Sequence, residues 1–314
     1  MADFSLGYRS LGIEDILIMI DAERQQSWGW TAAIYLFFAG VGGGVFLFSF
    51  ILDFIGKYEP VARIGALSGP VLVGVGSLFL LFDLGSVTRA YRLFSSASGL
   101  LTSWMGRGAW ILAAFMISGL AYSLPSFSLF GWLPWTRTSA LGQGMGFFAA
   151  LLSMGVAVYP GFLLGVLRSI PFWNASALPP LFFLSGLDTG IAVLALLALF
   201  FPASFDSEGF HLLGAGDTVL LFLMLIILGA YIDIVRQGDE AAAASFRLLR
   251  TPLFIGGAII LGLLLPLGLL LYSFFVNDAL TLRILAGTTS ALLLAGGFCL
   301  RYSVIRGGVR ISVR

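Results

Sequence analysis

Residues 30–54 read Trp30-Thr-Ala-Ala-Ile-Tyr-Leu-Phe-Phe-Ala-Gly-Val-Gly-Gly-Gly-Val-Phe-Leu-Phe-Ser-Phe-Ile-Leu-Asp-Phe54, with no charge before Asp53. Wound as an α-helix such a run is about 37 Å long, more than the ~30 Å hydrocarbon core of a bilayer. It lacks the polar/apolar alternation of a membrane-barrel strand. A helix is the form that satisfies its own backbone hydrogen bonds in lipid, so the run is expected to span as one. Seven further runs follow at about 62–84, 104–124, 140–167, 175–201, 215–236, 252–276 and 283–305. The expected fold class is all-α: a polytopic membrane protein of about eight transmembrane helices.

The composition agrees. Of 314 residues, 59% are hydrophobic and 11% charged, and the mean hydropathy is +1.01; soluble domains do not tolerate so little charge. A net charge of +1 gives no sign of a nucleic-acid partner. One histidine, His211, cannot build a paired-histidine haem site, and one cysteine, Cys299, cannot hold an iron–sulfur cluster. The protein is therefore expected to carry no haem, no cluster and no metal, and any such electron carrier must sit on another polypeptide. Residues 1–28 are polar and of mixed charge (Arg9, Glu14, Asp15, Asp21, Glu23, Arg24), without a basic stretch leading into a short apolar core. This N-terminal segment is expected to be retained, with Leu11–Ile20 as an interfacial helix ahead of a transmembrane domain over 29–314.

The connections are short and hold the turn formers and most charges, which makes consecutive helices antiparallel neighbours. An even number of spans places both termini on one side. That side collects Arg9, Arg24, Arg89, Arg92, Arg168, Arg236, Arg247, Arg250, Arg301, Arg306, Arg310 and Arg314, against Lys57, Arg63, Arg137 and Arg283 opposite. The positive-inside rule then puts both termini in the cytoplasm.

Polar residues inside the spans each need a reason, since a charge at the centre of a bilayer is costly. Asp53, Asp217, Asp233 and Arg301 lie near the ends of the runs as drawn, where side chains reach the headgroups. Asp188, in Ser185-Gly-Leu-Asp-Thr-Gly190, is too deep for that, and is either a proton-conducting acid or a hydrogen-bonded structural one. Arg107, one turn into the third run, can snorkel or pair with Asp83, and pairing joins Asp83, Arg89, Arg92 and Arg107 in one polar cluster. In the fourth run Tyr159 precedes Pro160 and Gly161; proline removes a backbone donor and bends a helix, and a phenol beside the bend can donate to a carbonyl. Most of the many glycines suit close helix packing, but Gly40, Gly42, Gly43 and Gly44 can also leave a slot for a flat ligand or an isoprenoid tail.

Four segments in order carry a resemblance: Trp28-Gly-Trp through Gly44; Asp83-Leu-Gly with Arg89 and Arg92; Ser103-Trp-Met-Gly-Arg-Gly-Ala-Trp110; and Tyr159-Pro-Gly-Phe-Leu-Leu-Gly165, followed by Pro171-Phe-Trp173 and Leu178-Pro-Pro to Gly186. From Trp28 to about Gly190 the sequence resembles the NrfD/PsrC family of polysulfide-reductase-type membrane subunits. The resemblance implies two four-helix bundles, about 29–170 and 171–306. It implies a quinone (menaquinone or ubiquinone) bound in the first, and two electrons exchanged with a docked ferredoxin-like iron–sulfur subunit. A catalytic molybdopterin-type subunit and a prokaryotic cytoplasmic membrane complete the picture. Residue by residue, Tyr159 falls on the family's quinone-contacting tyrosine, and Tyr35 falls near a helix-1 polar position where relatives carry a more basic or amide group. Asp83, Trp104 and Arg107 border the pocket, with Arg89 and Arg92 toward the docked partner. Ser86-Val87 stands where relatives often carry Arg-Pro.

Two other readings compete. A secondary transporter would use Asp188 as its coupling carboxylate and the helices kinked at Pro160 and Pro266 as moving parts, although no inverted repeat is evident. A bare anchor would tether a soluble enzyme and bind nothing. Asp188, with Asp83, also remains a candidate for a proton pathway.

Overall fold

The computed structural model describes residues 22–25, 28–84, 104–167 and 169–311. Eight helices in it are long and apolar enough to cross a membrane: α1 (Trp30–Ile55), α2 (Glu59–Leu84), α3 (Trp104–Ser123), α4 (Ala140–Gly165), α5 (Leu178–Ala198), α6 (Ser207–Gln237), α7 (Leu253–Ser273) and α8 (Ala279–Arg306). The protein is an all-α, multi-pass membrane protein, and each expected run holds one span. The expected interfacial helix at Leu11–Ile20 lies outside the described residues, as do Arg89 and Arg92.

Local chemistry sets the helix ends. The side chains of Ser139, Asp206 and Asp278 accept the backbone N–H groups of Gly142, Gly209 and Thr281 at 3.2, 2.9 and 2.8 Å and so cap α4, α6 and α8. Gly56, at φ 74°, closes α1 in the left-handed conformation that glycine adopts without cost. The first half of α7, Leu253–Leu264, is wound as a π-helix and hands over to an ordinary helix at Leu265-Pro266, where the proline has no N–H to give. The stretch read as a loop between α6 and α7 contains a short helix, Glu240–Leu249, capped by Asp239.

Consecutive helices pack against each other throughout, and α1 also meets α4, α5 and α8 while α5 meets α1, α2, α4, α6 and α8. These two form the inner seam. Large apolar side chains such as Phe54, Phe82, Ile117, Phe200 and Phe275 stand outward and mostly exposed; on a soluble protein they would be an aggregation surface, and in a bilayer they meet acyl chains.

The glycine run of α1 does not leave a slot. A β-carbon at Gly42 would strike Gly69 and Val73 of α2, one at Gly43 would strike Ser153 and Ala157 of α4, and one at Gly44 would strike Gly186 and Gly190 of α5. Successive glycines point at three different neighbours, so the space expected for a ligand is filled by helix backbone. Both ends of the described residues meet on the face where α1 begins: β1 (Ala22–Arg24) pairs antiparallel with β2 (Val309–Ile311), and Gln25 Nε2 donates to the Ile305 carbonyl at 3.0 Å.

Candidate functional site

Tyr159 lies six residues before the end of α4, roughly 9 Å below the face where β1 and β2 pair. Its ring fills the place a side chain at Gly108 of α3 would take. One turn earlier on α3, the Trp104 carbonyl accepts the phenol hydrogen at 3.3 Å. That is long for an O–H···O bond, whose usual distance is about 2.7–2.8 Å, so the hydroxyl is held weakly. The carbonyl has a second lone pair for its own helix. Despite Pro160, α4 runs without interruption, and Gly161 rests against Pro179 of α5. Pro160 therefore does not end the helix.

Around Tyr159 the structure gathers three of the expected residues. Trp104 opens α3 and stacks on Phe162 of α4, ring centres 6.0 Å apart and planes 15° apart. Arg107 holds its guanidinium 5.1 Å over the Trp104 ring, a cation–π contact. Tyr35 on α1 is buried in the same apolar cluster, close enough to Tyr159 for the two phenols to interact electrostatically. Trp104 and Phe162 are both about two-fifths exposed, whereas the phenols are buried. A flat aromatic surface on the outside thus lies beside two hydroxyl groups on the inside. Asp83 ends α2 near this face, but its side chain, like Arg89 and Arg92, is outside the described residues.

Asp188 is not part of this group. It sits ten residues into α5, about 15 Å deep, and is 2% exposed. Its neighbours correct the reading of two residues taken as headgroup-seeking. Arg301 is 1% exposed. Its Nη1 donates to Ser185 Oγ at 2.8 Å and to the Gly297 carbonyl at 3.1 Å, and its guanidinium lies between the Phe37 and Phe182 rings. Asp217 is 3% exposed, because α6 starts at Ser207, well before the expected 215, which places Asp217 about 15 Å down the helix. Asp53 needs correcting too: it is tied to Arg137 at 2.7 Å and accepts a hydrogen bond from Tyr122. Asp233 is exposed and bonded to Gln237, as its place near a helix end suggests.

A family model described as polysulphide reductase, NrfD, matches residues 19–312. The protein belongs to that family. It is 28% identical over 306 residues to the C subunit of polysulfide reductase from Wolinella succinogenes, covering 90% of this protein and 94% of the relative. It is 29% identical over 191 residues to protein NrfD of Escherichia coli, covering 55% and 59%. A protein NrfD homolog of Haemophilus influenzae is 25% identical over 306 residues, again covering 90% and 94%.

Sequence reasoning gives Gly108 and Phe162 no role of their own and sets Asp217 and Arg301 near the headgroups. Gly108 had a signal, since it follows Trp104 by four residues and so shares its face of α3. Phe162 follows Tyr159 by three. Arg301 and Asp217 depended on knowing which way each helix faces, and periodicity is faint in segments that are apolar all round.

Proposed function

We propose that this NrfD-family protein is the integral membrane subunit of a respiratory-type redox complex, binding quinone or quinol at the Tyr159 face and exchanging two electrons with a docked iron–sulfur subunit. The observation that carries the reading is the Tyr159 phenol, a buried hydroxyl held among the described residues only by a carbonyl at 3.3 Å. A carbonyl of better geometry can take that hydrogen. When bound, a quinone supplies the two-electron, two-proton chemistry that the side chains of this protein lack. Tyr159 would donate to one of its oxygens, with Tyr35 beside it. The exposed Trp104 and Phe162 rings offer a flat apolar approach from the lipid, and Arg107, with Asp83, would favour proton movement at the mouth. Relatives named as a polysulfide reductase subunit and as protein NrfD support the assignment.

The same reading takes 29–170 as the quinone-binding bundle and 171–306 as a second bundle. It places a ferredoxin-like subunit over Arg89 and Arg92, a molybdopterin-type or other redox subunit beyond it, and the whole in the prokaryotic cytoplasmic membrane with both termini in the cytoplasm. The test is Tyr159→Phe, which keeps the ring and removes the donor. Quinol turnover by the purified complex should fall about tenfold, the worth of one good hydrogen bond, with assembly unchanged. Native turnover with the native quinone would remove Tyr159 from the site.

A further inference from the structure

Ten residues into α5 from one face and ten residues into α6 from the other, Asp188 and Asp217 lie deep in the membrane-spanning body and within electrostatic reach of each other. Both are buried, and Oδ1 of each has no hydrogen-bond partner among the described residues. Burying an ionised carboxylate without partners is too costly to persist, so something must neutralise or solvate it. Asp188 has the Arg301 guanidinium within electrostatic reach. Asp217 instead lines a cavity of about 20 Å³ together with Ser273, Thr289 and Ser290. On that measure one water needs roughly 10–15 Å³. The remaining lining includes Phe210 near the start of α6 and Leu282 near the start of α8, so the cavity lies toward the face opposite the β1–β2 pair.

We infer that Asp217 is a proton-binding site, taking one proton onto its free carboxylate oxygen from water in the Ser273/Thr289/Ser290 cavity, supplied from the face opposite the β1–β2 pair. The step balances simply: a hydronium gives up a proton to Oδ1 and stays behind as water. The hydroxyls suit this: those of Thr289 and Ser290 can donate to or accept from a water, and that of Ser273, which donates to the Leu270 carbonyl at 2.6 Å, can accept from one. The titratable and charged groups around Asp217 are few among the described residues. Asp188 of α5 acts on it electrostatically, and Arg301 of α8 acts in turn on Asp188. On α6 itself His211 lies nearer the surface, stacked on Phe274 after α7 at 6.2 Å, with its Nδ1 unpartnered among the described residues. To the cavity α7 presents Ser273, and α8 presents Thr289 and Ser290. The inference stands on the cavity and the two unpartnered oxygens, independently of where quinone binds.

Dicyclohexylcarbodiimide, a membrane-soluble reagent that attacks carboxyl groups in their protonated form, reads the site directly in sealed native membrane vesicles, with adducts located by mass spectrometry. Asp217 should be labelled, and labelling should rise as the pH is lowered in the compartment that α6 enters from Asp206. Sodium at fixed pH should leave it unchanged, and Asp188→Asn should leave Asp217 reactive. No adduct on Asp217 at any pH would overturn the inference. So would labelling that follows only the pH of the other compartment, or protection by sodium, which would make the cavity a metal-cation site. Asp217→Asn serves as the control that removes the adduct; the decisive measurement uses the unaltered protein, so it does not depend on how that variant folds.

Discussion

Gly108 and Tyr159 occupy one space: the phenol ring lies where the β-carbon of any other residue at position 108 would be. The pair joins α3 to α4 and fixes where the Tyr159 hydroxyl points, toward the Trp104 carbonyl one turn away. Gly108→Ala should therefore push the ring aside while leaving every other helix contact in place. Overpacking of this kind costs about 1–3 kcal/mol, which a body of eight helices can absorb. The expected result is a complex that assembles but turns over quinol as poorly as Tyr159→Phe. Normal turnover by Gly108→Ala would show that the position of the ring is irrelevant to activity.

On the opposite face, Asp53 at the end of α1 holds Arg137 from the connection between α3 and α4, with Tyr122 of α3 donating to the same carboxylate. Both side chains of the ion pair are about nine-tenths buried. Removing one member strands the other charge in a poorly solvated place, which costs about 3–5 kcal/mol in comparable buried pairs. Asp53→Ala should lower thermal stability in detergent markedly. Glu59, 3.6 Å from Arg137 but largely exposed, should matter far less when changed to alanine. Equal losses from the two substitutions would contradict this ranking.

Acid should loosen the start of α6 through Asp206. The Gly209 backbone N–H, then the Tyr58 hydroxyl, hold this exposed carboxyl below its ordinary value of 3.8, while burial beside Asp206 pushes the Tyr58 phenol up to about 12, so it remains a donor through the neutral range. A lowered folded value means that folding favours the ionised form. The contribution is complete above 3.8 and disappears as the pH falls through the lower folded value. Asp206→Asn still caps the helix but does not titrate. Protection of the amides in residues 207–211, taken relative to their intrinsic exchange rates at each pH, should therefore fall in acid for the native protein and stay flat for the variant; the same acid response in both would show that Asp206 is not the sensor.

The spans were legible because lipid leaves the backbone one economical solution, and long apolar runs declare it. Their ends were less so. Glu208 and His211 lower the hydropathy of the first turns of α6, so the apolar run starts at 215 although the helix starts at Ser207, and the run alone sets Asp217 near the headgroups. The Tyr159 face could be assembled from segment order, since Trp104, Arg107 and Tyr159 all lie near helix ends that must share a side. What lay deeper was hidden. In helices apolar on every face, nothing in the residue pattern says that Arg301 turns inward to Ser185, or that Gly42, Gly43 and Gly44 each serve a different partner.

Arg301 offers the sharpest energetic test of the second half of the protein. Its guanidinium is enclosed by α5 and α8, bonded to Ser185 and Gly297, and it influences Asp188 electrostatically although no ion pair within 4 Å joins them among the described residues. Arg301→Met removes the positive charge while roughly keeping the bulk, leaving Asp188 without that neighbour and the buried Ser185 and Gly297 acceptors without their donor; a loss of about 1–3 kcal/mol follows from leaving buried polar groups unsatisfied. Asp188→Asn alone should cost less, because arginine keeps its hydroxyl and carbonyl acceptors. If the two charges depend on each other, the double variant Arg301→Met/Asp188→Asn should be more stable than the sum of the single losses, by a coupling of about 0.5–3 kcal/mol. Unfolding of the purified protein in denaturant measures all four corners of this cycle. Strict additivity would mean that Arg301 serves only its own hydrogen bonds, and that Asp188 must find its compensation on the side of Asp217.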